Sequence, residues 1–499
     1  MSAKNLRIQL EPLSVVVEAP AGSDLANILA PYGFEFPCGG NGLCSRCRVR
    51  VITGSLPVTA EDNLAFSAKE LADGWRLACQ AQVNTPLVLD CGQWHMDVLT
   101  DDTDCPACKQ EQAKHGLGIA IDLGTTTLAA QMVDMATGSV LGIETDMNPQ
   151  AIYGSDVMSR IRAALSGADL TTVIRLNLRQ LILKLAGART GDVVEIVLVG
   201  NTVMHHLFSG LDVEPLSHTP FHPPHMGEQR FTPPELDWPL PASCRVRFLP
   251  CLGGFVGSDI LAGLIAVGMP SSDALIALVD LGTNGEIAIG NSKGVFCAST
   301  AAGPAFEAGA IRMGMRAVNG AISRVSCSGN RIHATVVGGG EARGICGSGL
   351  VDAVAVGVES GAILSSGRIA NKTKLFPVCD PVALLQSDIR ELQLAKAAIA
   401  SGFRLLLKQM GAGIDDLQCI YLAGAFGNYV QVDSALCIGM LEAPKQRIQA
   451  AGNTALRGAR MILLSPSVPA LPAIKHISLA ADPGFQDAFV ACMTFPART

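Results

Sequence analysis

The 499-residue chain carries 37 basic and 44 acidic side chains, a formal net charge of −7, and 49% of its residues are hydrophobic. This length predicts two or three domains, and the acidic balance argues against nucleic acid as the main partner. No apolar run is long enough to span a membrane, and the N-terminus lacks a signal-peptide core, so we expect a cytoplasmic protein without membrane contact. Sixteen cysteines then indicate metal or redox chemistry rather than disulfides.

Residues 1–94 have the pattern of a small, strand-rich domain. Ile8–Leu10 and Val15–Glu18 are predicted strands, and Asp24–Leu29 is a predicted short helix.

A glycine-rich segment in this domain, FPCGGNGLCSRCRVRV, carries three cysteines at the spacing C-x5-C-x2-C. These are Cys38, Cys44 and Cys47, and a fourth cysteine, Cys79, follows in RLACQAQV. Four thiolates, three of them in one loop, suit a [2Fe–2S] cluster, in which each iron takes two protein sulfurs. Structural zinc favours two C-x2-C pairs, and only one is present here. We therefore predict that these four cysteines bind a [2Fe–2S] cluster.

Residues 95–116 are polar and form a predicted linker. Cys105 and Cys108 make a lone C-x2-C within it, with Cys91 and His115 nearby. A second metal site and a pair of solvent-accessible thiols are both open interpretations, and the second is favoured because a lone C-x2-C is a weak signal.

The same phrase occurs twice in the rest of the chain. Gly118–Ala130 reads GIAIDLGTTTLAA and Leu275–Gly290 reads LIALVDLGTNGEIAIG. Each begins with an apolar run typical of a buried strand, and Asn284-Gly285 is a strong hairpin signal. Such a turn directs backbone N–H groups past the strand end, where they can bind phosphate oxygens. The repeat predicts two similar lobes, residues 117–270 and 271–499, facing each other across a nucleotide.

Between the repeats, Ser155–Ser166 is a predicted helix with Ser155 as its N-cap, followed by a second helix over Leu170–Ala188. Ile196–Val199 is a predicted strand and Phe255–Val267 a predicted helix. Several histidines (His205, His206, His218, His222 and His225) lie in this region with Asp212. They could suggest a metal, but partly exposed histidines in loops and at a helix start are the favoured interpretation.

The second lobe adds three segments of note. Gly344–Asp352, GICGSGLVD, predicts a glycine-rich turn that opens a helix and points its free N–H groups at an anion. Asp388–Met410 is the strongest helix pattern, with Asp388 and Glu391 as a capping pair and Gly411 as its stop. A strand over Cys419–Leu422 then leads into AGAFGN, where glycines allow a base and ribose to approach the backbone.

Two Asp–x–Gly–Thr strand pairs, a third glycine-rich turn and a strand followed by GAFGN resemble the actin, sugar kinase and heat-shock ATPase superfamily. The longer phrases GNTVMHHLF, FLPCLGGFVGSD, STAAGPAFEAGAI, GICGSGLVDAV and YLAGAFGNYV resemble the reductive activators of corrinoid enzymes. The resemblance implies a small β-grasp ferredoxin-like domain (α+β) followed by a two-lobed, α/β ATPase domain. Larger relatives carry an extra middle domain, which we expect to be replaced here by the short linker.

The resemblance also implies an activity: ATP-dependent reduction of cob(II)alamin to cob(I)alamin on a corrinoid methyl-carrier protein, with electrons from ferredoxin or flavodoxin and a homodimeric assembly. ATP, Mg²⁺ and the [2Fe–2S] cluster are the expected cofactors. Two other readings stay open, an electron-transferring activator of a different enzyme such as a dehydratase and a non-catalytic ATP-sensing adaptor. A sugar kinase would have no need of the iron–sulfur domain.

The candidate nucleotide-site residues fall into three groups. Asp122 and Asp280 are expected to position Mg²⁺ and the attacking water, with Glu286 or Glu307 as the general base. The expected phosphate-binding residues are Gly124, Thr125, Thr126, Gly282, Thr283, Asn284, Gly285, Gly347, Ser348 and Gly349, and the expected base-binding residues are Gly424, Ala425, Phe426 and Gly427.

Overall fold

The computed structural model describes residues 5–11, 15–29, 32, 34, 42, 47–91, 115–154, 156–282, 284–329, 331–465 and 470–496. They form a small N-terminal domain and two lobes that are each built on a six-stranded sheet. No helix within these ranges is long and apolar enough to cross a membrane. The predictions for Cys38, Cys44, Thr283, Cys105 and Cys108 lie outside the described residues.

The N-terminal domain is a mixed five-stranded sheet in the order β2-β1-β7-β4-β5, and the short helix Leu25–Leu29 buries its apolar side chains in the core of this domain. Strand β1, the second in this order, pairs antiparallel with β2 and parallel with β7, which is the β-grasp arrangement predicted by the resemblance. Its elements are β1 Asn5–Glu11, β2 Val15–Pro20, β3 Ser23–Asp24, α1 Leu25–Leu29, β4 Arg48–Thr53, α2 Ala60–Ala65, α3 Ala68–Ala72, β5 Trp75–Leu77, β6 Gln82–Val83 and β7 Leu87–Asp90.

Lobe I follows, with the sheet order β10-β9-β8-β11-β13-β12. Its elements are β8 Leu117–Leu123, β9 Thr127–Asp134, β10 Val140–Met147, α4 Val157–Leu165, α5 Leu170–Ala186, β11 Val193–Val199, α6 Thr202–Ser209, β12 Gln229–Phe231, β13 Arg245–Phe248 and α7 Ser258–Ala266.

Lobe II has the sheet order β23-β22-β14-β15-β16-β24 and two smaller sheets beside it. Its elements are β14 Leu275–Leu281, β15 Gly285–Asn291, β16 Gly294–Thr300, β17 Ala321–Ser328, β18 Arg331–Val336, β19 Gly344–Ile345, α8 Gly347–Ser360, β20 Leu375–Cys379, β21 Val382–Leu385, α9 Gln386–Met410, β22 Leu417–Ala423, α10 Gly424–Tyr429, α11 Val432–Cys437, β23 Ile448–Gly452, α12 Thr454–Leu464, β24 Ile474–His476 and α13 Phe485–Ala491.

The two large sheets repeat one topology. In each, three strands run as antiparallel neighbours (β8, β9 and β10; β14, β15 and β16), and two later strands add parallel to the first on its other side (β11 and β13; β22 and β23). The strand order is therefore 3-2-1-4-5 in both lobes. The internal repeat thus corresponds to a structural repeat, and the two Asp–x–Gly–Thr hairpins occupy equivalent positions.

Two helices cross between the sheets and join the lobes. α12 returns from the C-terminal part of the chain and packs against β8, β11 and α7 of lobe I, burying Leu456 and Ala459 there. α7 in turn packs its Ile260 and Leu264 against the lobe II sheet. A Cβ on Gly458 would lie 1.9 Å from the Ala262 carbonyl oxygen, so the helices cross at a distance only glycine permits. The lobe boundary predicted at residue 270 does not account for this packing, because α12 follows that boundary in the chain but lies against lobe I.

Two predicted helix starts need correction. α4 is capped by Asp156, whose carboxylate accepts the Ser159 N–H at 2.9 Å, rather than by Ser155. α9 begins two residues earlier than predicted, and Asp388 accepts the Leu385 N–H at 2.7 Å from inside the first turn. The capping contact is therefore Leu385 with Asp388, not Asp388 with Glu391. The predicted stop is right, because Gly411 ends α9 in the left-handed conformation.

His205 and His206 are fully buried in α6, so the expectation of partial exposure is wrong for this pair. Their Nδ1 atoms are 3.5 Å apart, and the His205 ring packs edge-on against Phe248. Burial, with a smaller contribution from His206, lowers the pKa of His205 to about 4. Within the described residues, no group of three or more His, Cys, Asp or Glu side chains has the arrangement of a metal site.

We expect the contribution of His205 to the stability of lobe I to become less favourable as the pH falls from 7 to 5. The unfolded chain takes up a proton on His205 near pH 6.5, whereas the folded chain takes it up only near pH 4. The unfolded state therefore binds more protons in this window, which costs the fold about 2 kcal/mol at pH 5 relative to pH 7. In thermal unfolding, the stability of His205→Gln relative to the wild type should therefore rise as the pH falls from 7 to 5. His218→Gln, at an exposed position, is the control and should retain the wild-type pH dependence.

Candidate functional site

A cavity of about 470 Å³ opens between the lobes, where the hairpins β8–β9 and β14–β15 turn toward each other. It is lined from lobe I by Asp122, Gly124, Thr125, Thr126, Thr127, Asn201 and Asp259, and from the rest of the chain by Asp280, Leu281, Gly282, Asn284, Glu286, Phe306, Glu307, Met315, Arg316, Ala317, Val318, Ser323, Arg324, Val337, Cys346, Gly347, Ser348, Gly424, Phe426, Tyr429, Asn453 and Ala455. The cavity thus brings together members of all three predicted groups, namely the acids expected to position Mg²⁺, the phosphate-binding residues and the base-binding residues.

The two repeat carboxylates lie at equivalent ends of the central strands. Asp122 is the penultimate residue of β8 and accepts a hydrogen bond from Asn453 Nδ2 at 3.0 Å. Asp280 is the penultimate residue of β14 and lies beside Glu286 across the hairpin. A Cβ on Gly424 would come within 2.5 Å of an Asp280 carboxylate oxygen. The strand geometry therefore aims both carboxylates at the space between the lobes.

Burial and mutual repulsion favour the protonated forms of these acids. Burial raises the pKa of Asp122 to about 6, and burial together with Asp122 raises the pKa of Asp280 to about 7. Asp259, in the first turn of α7, has its pKa raised to about 8 by burial and by the same two aspartates. The pKa of Glu286 lies well above its usual range for the same reasons, burial first, although it accepts a hydrogen bond from Ser299 at 3.2 Å.

Such a group of buried acids fits a divalent cation. Without a cation, the repulsion between neighbouring carboxylates is relieved by protonation, and a bound cation would relieve it instead. Mg²⁺ commonly takes one or two carboxylates and completes its shell with phosphate oxygens and water. Asp122 and Asp280, one from each lobe, are the residues that would hold it.

Each lobe presents backbone amides and hydroxyls beside these acids. In lobe I, Thr125 accepts a hydrogen bond from Asn201 Nδ2 at 2.9 Å, and Asn148 Nδ2 donates to the Gly124 carbonyl at 2.9 Å. In lobe II, Gly347 and Ser348 form the first turn of the 14-residue helix α8. A helix N-terminus of this length carries partial positive charge and unpaired N–H groups, which suits a phosphate.

An aromatic pair forms part of the cavity wall. The rings of Phe306 and Phe426 stack with centroids 4.7 Å apart and an interplanar angle of 24°. Gly347 packs directly under Phe306, since a Cβ there would lie 1.7 Å from its carbonyl oxygen. A flat apolar wall next to phosphate-binding groups suits a nucleotide base.

Three predicted glycines do not line the cavity and instead allow close packing. A Cβ on Gly285 would lie 2.0 Å from Ile399 Cδ1, and one on Gly349 would lie 2.2 Å from the Ile322 carbonyl oxygen. Gly427 is buried in α10 against Leu422. Thr283 and the side chain of Ala425 lie outside the described residues.

Sequence reasoning missed several cavity residues, chiefly Asp259, Asn201, Asn453, Arg316 and Arg324. The first three share a recognisable signal, because each stands at or beside the start of a helix that follows a strand or a glycine turn. The two arginines follow no such pattern.

Near the other end of the chain, Cys47 is buried and its thiol is hydrogen-bonded to that of Cys79. That hydrogen bond, together with the Gln80 side chain and the Gly42 N–H, outweighs partial burial and lowers the pKa of Cys79 to about 6. A thiol that readily ionises, next to a second thiol and a backbone N–H group, has the donor chemistry of an iron–sulfur site. The described half of the predicted ligand set therefore fits a [2Fe–2S] cluster.

Comparisons with known proteins cover nearly the whole chain. Residues 8–84 match the 2Fe-2S iron–sulfur cluster binding domain, residues 117–272 the RACo middle region, and residues 274–499 the C-terminal domain of RACo, the ASKHA domain. The corrinoid activation enzyme RamQ of Eubacterium limosum is 36% identical over 425 residues, which span 76% of this chain and 70% of that protein. This chain belongs to the RACo family.

Other members show the same relationship. The [Co(II) methylated amine-specific corrinoid protein] reductase of Methanosarcina barkeri is 27% identical over 384 residues, 70% of each chain. A solved structure of a reductive activator for a corrinoid, iron-sulfur protein superposes with a TM-score of 0.66 at 26% identity and covers 98% of both chains. The fold class predicted from the sequence is confirmed by these matches.

The model for the RACo middle region matches residues 117–272, which nearly coincide with predicted lobe I. The structure folds these residues into lobe I, with the first Asp–x–Gly–Thr hairpin at its centre.

Proposed function

We propose that this protein activates a corrinoid protein by reduction. It takes one electron from a low-potential donor and passes it to cobalt, converting cob(II)alamin to cob(I)alamin, and it couples this step to ATP hydrolysis. One observation carries the proposal: a single chain combines two parts. The first is a β-grasp domain that holds the neighbouring thiols of Cys47 and Cys79, and the second is a two-lobed cleft in which Asp122 and Asp280 face each other. Relatives named for corrinoid activation and Co(II) corrinoid reduction support it.

The need for ATP follows from the reduction potentials. A plant-type [2Fe–2S] cluster has a potential of about −400 mV, and the proposal takes cob(II)alamin in its resting state to be harder to reduce. In a one-electron step each ~59 mV of shortfall costs a factor of ten in the equilibrium constant. A gap of a few hundred mV therefore costs roughly 5–7 kcal/mol, which closure of the cleft around ATP and its hydrolysis can offset.

The roles of the cleft residues follow from their positions. A bound Mg²⁺ would neutralise charge on the ATP phosphates, and Asp122 and Asp280 would hold it. Glu286 and Glu307 both line the cavity, and either could take the proton of the attacking water. The backbone of Gly124 and of Gly347 would bind phosphate oxygens, and Phe426 with Phe306 would support the base.

The partners in this proposal are a corrinoid methyl-carrier protein and a low-potential donor such as ferredoxin or flavodoxin, and the assembly is a homodimer. A dehydratase activator of the kind with a [4Fe–4S] cluster at the dimer interface is a poorer match, because the N-terminal domain has the β-grasp fold of [2Fe–2S] proteins.

The test is a visible spectrum of a corrinoid methyl carrier in its cob(II) state, mixed anaerobically with this protein and a low-potential reductant. The cob(I) spectrum should develop only when Mg²⁺ and ATP are present, and a non-hydrolysable analogue should not sustain it. If cobalt were reduced equally well without ATP, the protein would act as a simple ferredoxin and the proposed coupling to ATP hydrolysis would be wrong. ATP hydrolysis without any cobalt reduction would favour the ATP-sensing adaptor.

A further inference from the structure

An ion pair joins the ferredoxin-like domain to lobe II. Glu70, in α3, accepts hydrogen bonds from Arg48 at 2.7 Å and from Arg343 at 2.5 Å, both through the same carboxylate oxygen. Arg48 is held in place by the rings of Phe66 and Trp75, which lie 4.9 and 4.6 Å from its guanidinium carbon. Glu70 and Arg343 lie 273 positions apart in the chain, so this contact links domains rather than neighbours.

A second contact joins the same domain to lobe I. Met147, the last residue of β10, is buried in the apolar core of the ferredoxin-like domain together with residues such as Phe34. Tyr153, six residues later, lies close enough to Tyr32 of that domain to help burial raise the Tyr32 pKa. The ferredoxin-like domain therefore touches both lobes.

Each contact is adjacent to a phosphate-binding segment. On lobe II, Arg343 directly precedes β19, and the chain reaches the start of α8 at Gly347 within four residues. On lobe I, Met147 is followed by Asn148, which donates its backbone N–H to the Thr126 carbonyl at 2.9 Å and its side-chain amide to the Gly124 carbonyl at 2.9 Å. Both anchoring points thus belong to the walls of the cavity between the lobes.

The contact itself is small. Among the described helices and strands, packing between the ferredoxin-like domain and the lobes is confined to isolated contacts such as those of Met147 and Glu70. The side chains of Arg343 and Glu70 remain 28% and 23% exposed. A partly exposed ion pair of this kind contributes little free energy to the docked arrangement, so the contact can break reversibly.

We propose that the ferredoxin-like domain docks across both lobes through Glu70–Arg343 and Met147, and that closure of the lobes around a nucleotide releases it. A rigid domain attached to two bodies cannot follow both when they rotate about the α7–α12 crossing, so one contact must break, and the other is too small to hold the domain by itself. The released domain is then free to approach an electron acceptor. This inference rests on the proposed nucleotide site and adds the step by which the nucleotide would control electron delivery.

Hydrogen exchange of the intact, cluster-containing protein tests the release. Exchange is followed by mass spectrometry in residues 60–77 of the ferredoxin-like domain and residues 147–154 of lobe I, with and without the ATP analogue AMP-PNP and Mg²⁺. In the wild type, AMP-PNP should speed exchange in both segments several-fold, although a ligand normally slows exchange. Arg343→Glu should show about fivefold faster exchange in residues 60–77 without any nucleotide, because it replaces the attraction by repulsion.

Arg404→Glu is the matched control, since Arg404 belongs to an exposed ion pair of lobe II with Glu442, away from the docked domain. It should behave like the wild type in both segments. Met147→Gln, which weakens the contact on lobe I, provides a second test that does not alter lobe II.

Calorimetry of AMP-PNP binding separates the possible failures. Binding without faster exchange, or unchanged exchange in Arg343→Glu and Met147→Gln, would overturn the docking inference alone. Absence of binding would overturn the proposed nucleotide site and the release step with it.

Discussion

Asp280→Asn should lower the rate of ATP hydrolysis by two to three orders of magnitude or more, while the spectrum of the iron–sulfur cluster stays unchanged. The substitution preserves the shape of the side chain but removes the charge that would hold Mg²⁺ against the phosphates. Asp280 is the lobe II member of the pair that faces the cavity. The cluster should be unaffected because Cys47 and Cys79 lie in a separate domain.

The same variant should fold normally. The Asp280 carboxylate is buried with its pKa raised to about 7 by burial and by Asp122, so the neutral amide removes an unfavourable charge from the nucleotide-free protein. Asp273→Asn is the matched control, because Asp273 is exposed just before the same strand, β14. Steady-state phosphate release, measured for both variants and the wild type, checks the expectation. Hydrolysis by Asp280→Asn at the wild-type rate would place the phosphate site elsewhere.

Local sequence signals predicted the paired hairpins because both the signal and the structure are local. In LIALVDLGTNGEIAIG, the apolar runs on either side of Asn284-Gly285 are β14 and β15, and Leu281 pairs with Gly285 across the turn. The glycine-rich start of α8 was predicted on the same basis, since Gly347, Ser348 and Gly349 form its first turn. A second copy of the Asp–x–Gly–Thr phrase then made a second, similar lobe the simplest interpretation.

The rest of the cavity could not be predicted because it depends on contacts between distant segments. Asn453 caps α12, yet its side chain reaches Asp122, 331 positions earlier, only because α12 crosses back to lobe I. Asp259 becomes part of the acid cluster only when α7 lies between the two sheets. Likewise, the sequence does not distinguish the roles of two predicted glycines. Gly347 lines the cavity, whereas Gly285 leaves room for Ile399 of α9, which packs directly against it.

Cys79→Ala should remove the [2Fe–2S] cluster and abolish cobalt reduction, while ATP hydrolysis persists. The thiols of Cys47 and Cys79 are hydrogen-bonded to each other, and the pKa of Cys79 is lowered to about 6 by that hydrogen bond and by neighbouring donors, which favours the thiolate that iron requires. A [2Fe–2S] cluster needs four protein ligands, so the loss of one that other side chains cannot replace should leave the protein without iron.

Cys91→Ala is the control, because Cys91 is the nearest alternative fourth ligand in the sequence. Its thiol is fully buried in the apolar core of the ferredoxin-like domain, and burial, reinforced by Asp90 and Glu11, raises its pKa strongly, so it is poorly suited to bind iron as a thiolate. Iron and sulfide analysis of anaerobically purified protein should find about two of each per chain in the wild type and in Cys91→Ala, and almost none in Cys79→Ala. The EPR signal of the reduced cluster should follow the same pattern. Retention of iron by Cys79→Ala together with its loss from Cys91→Ala would reverse the two assignments.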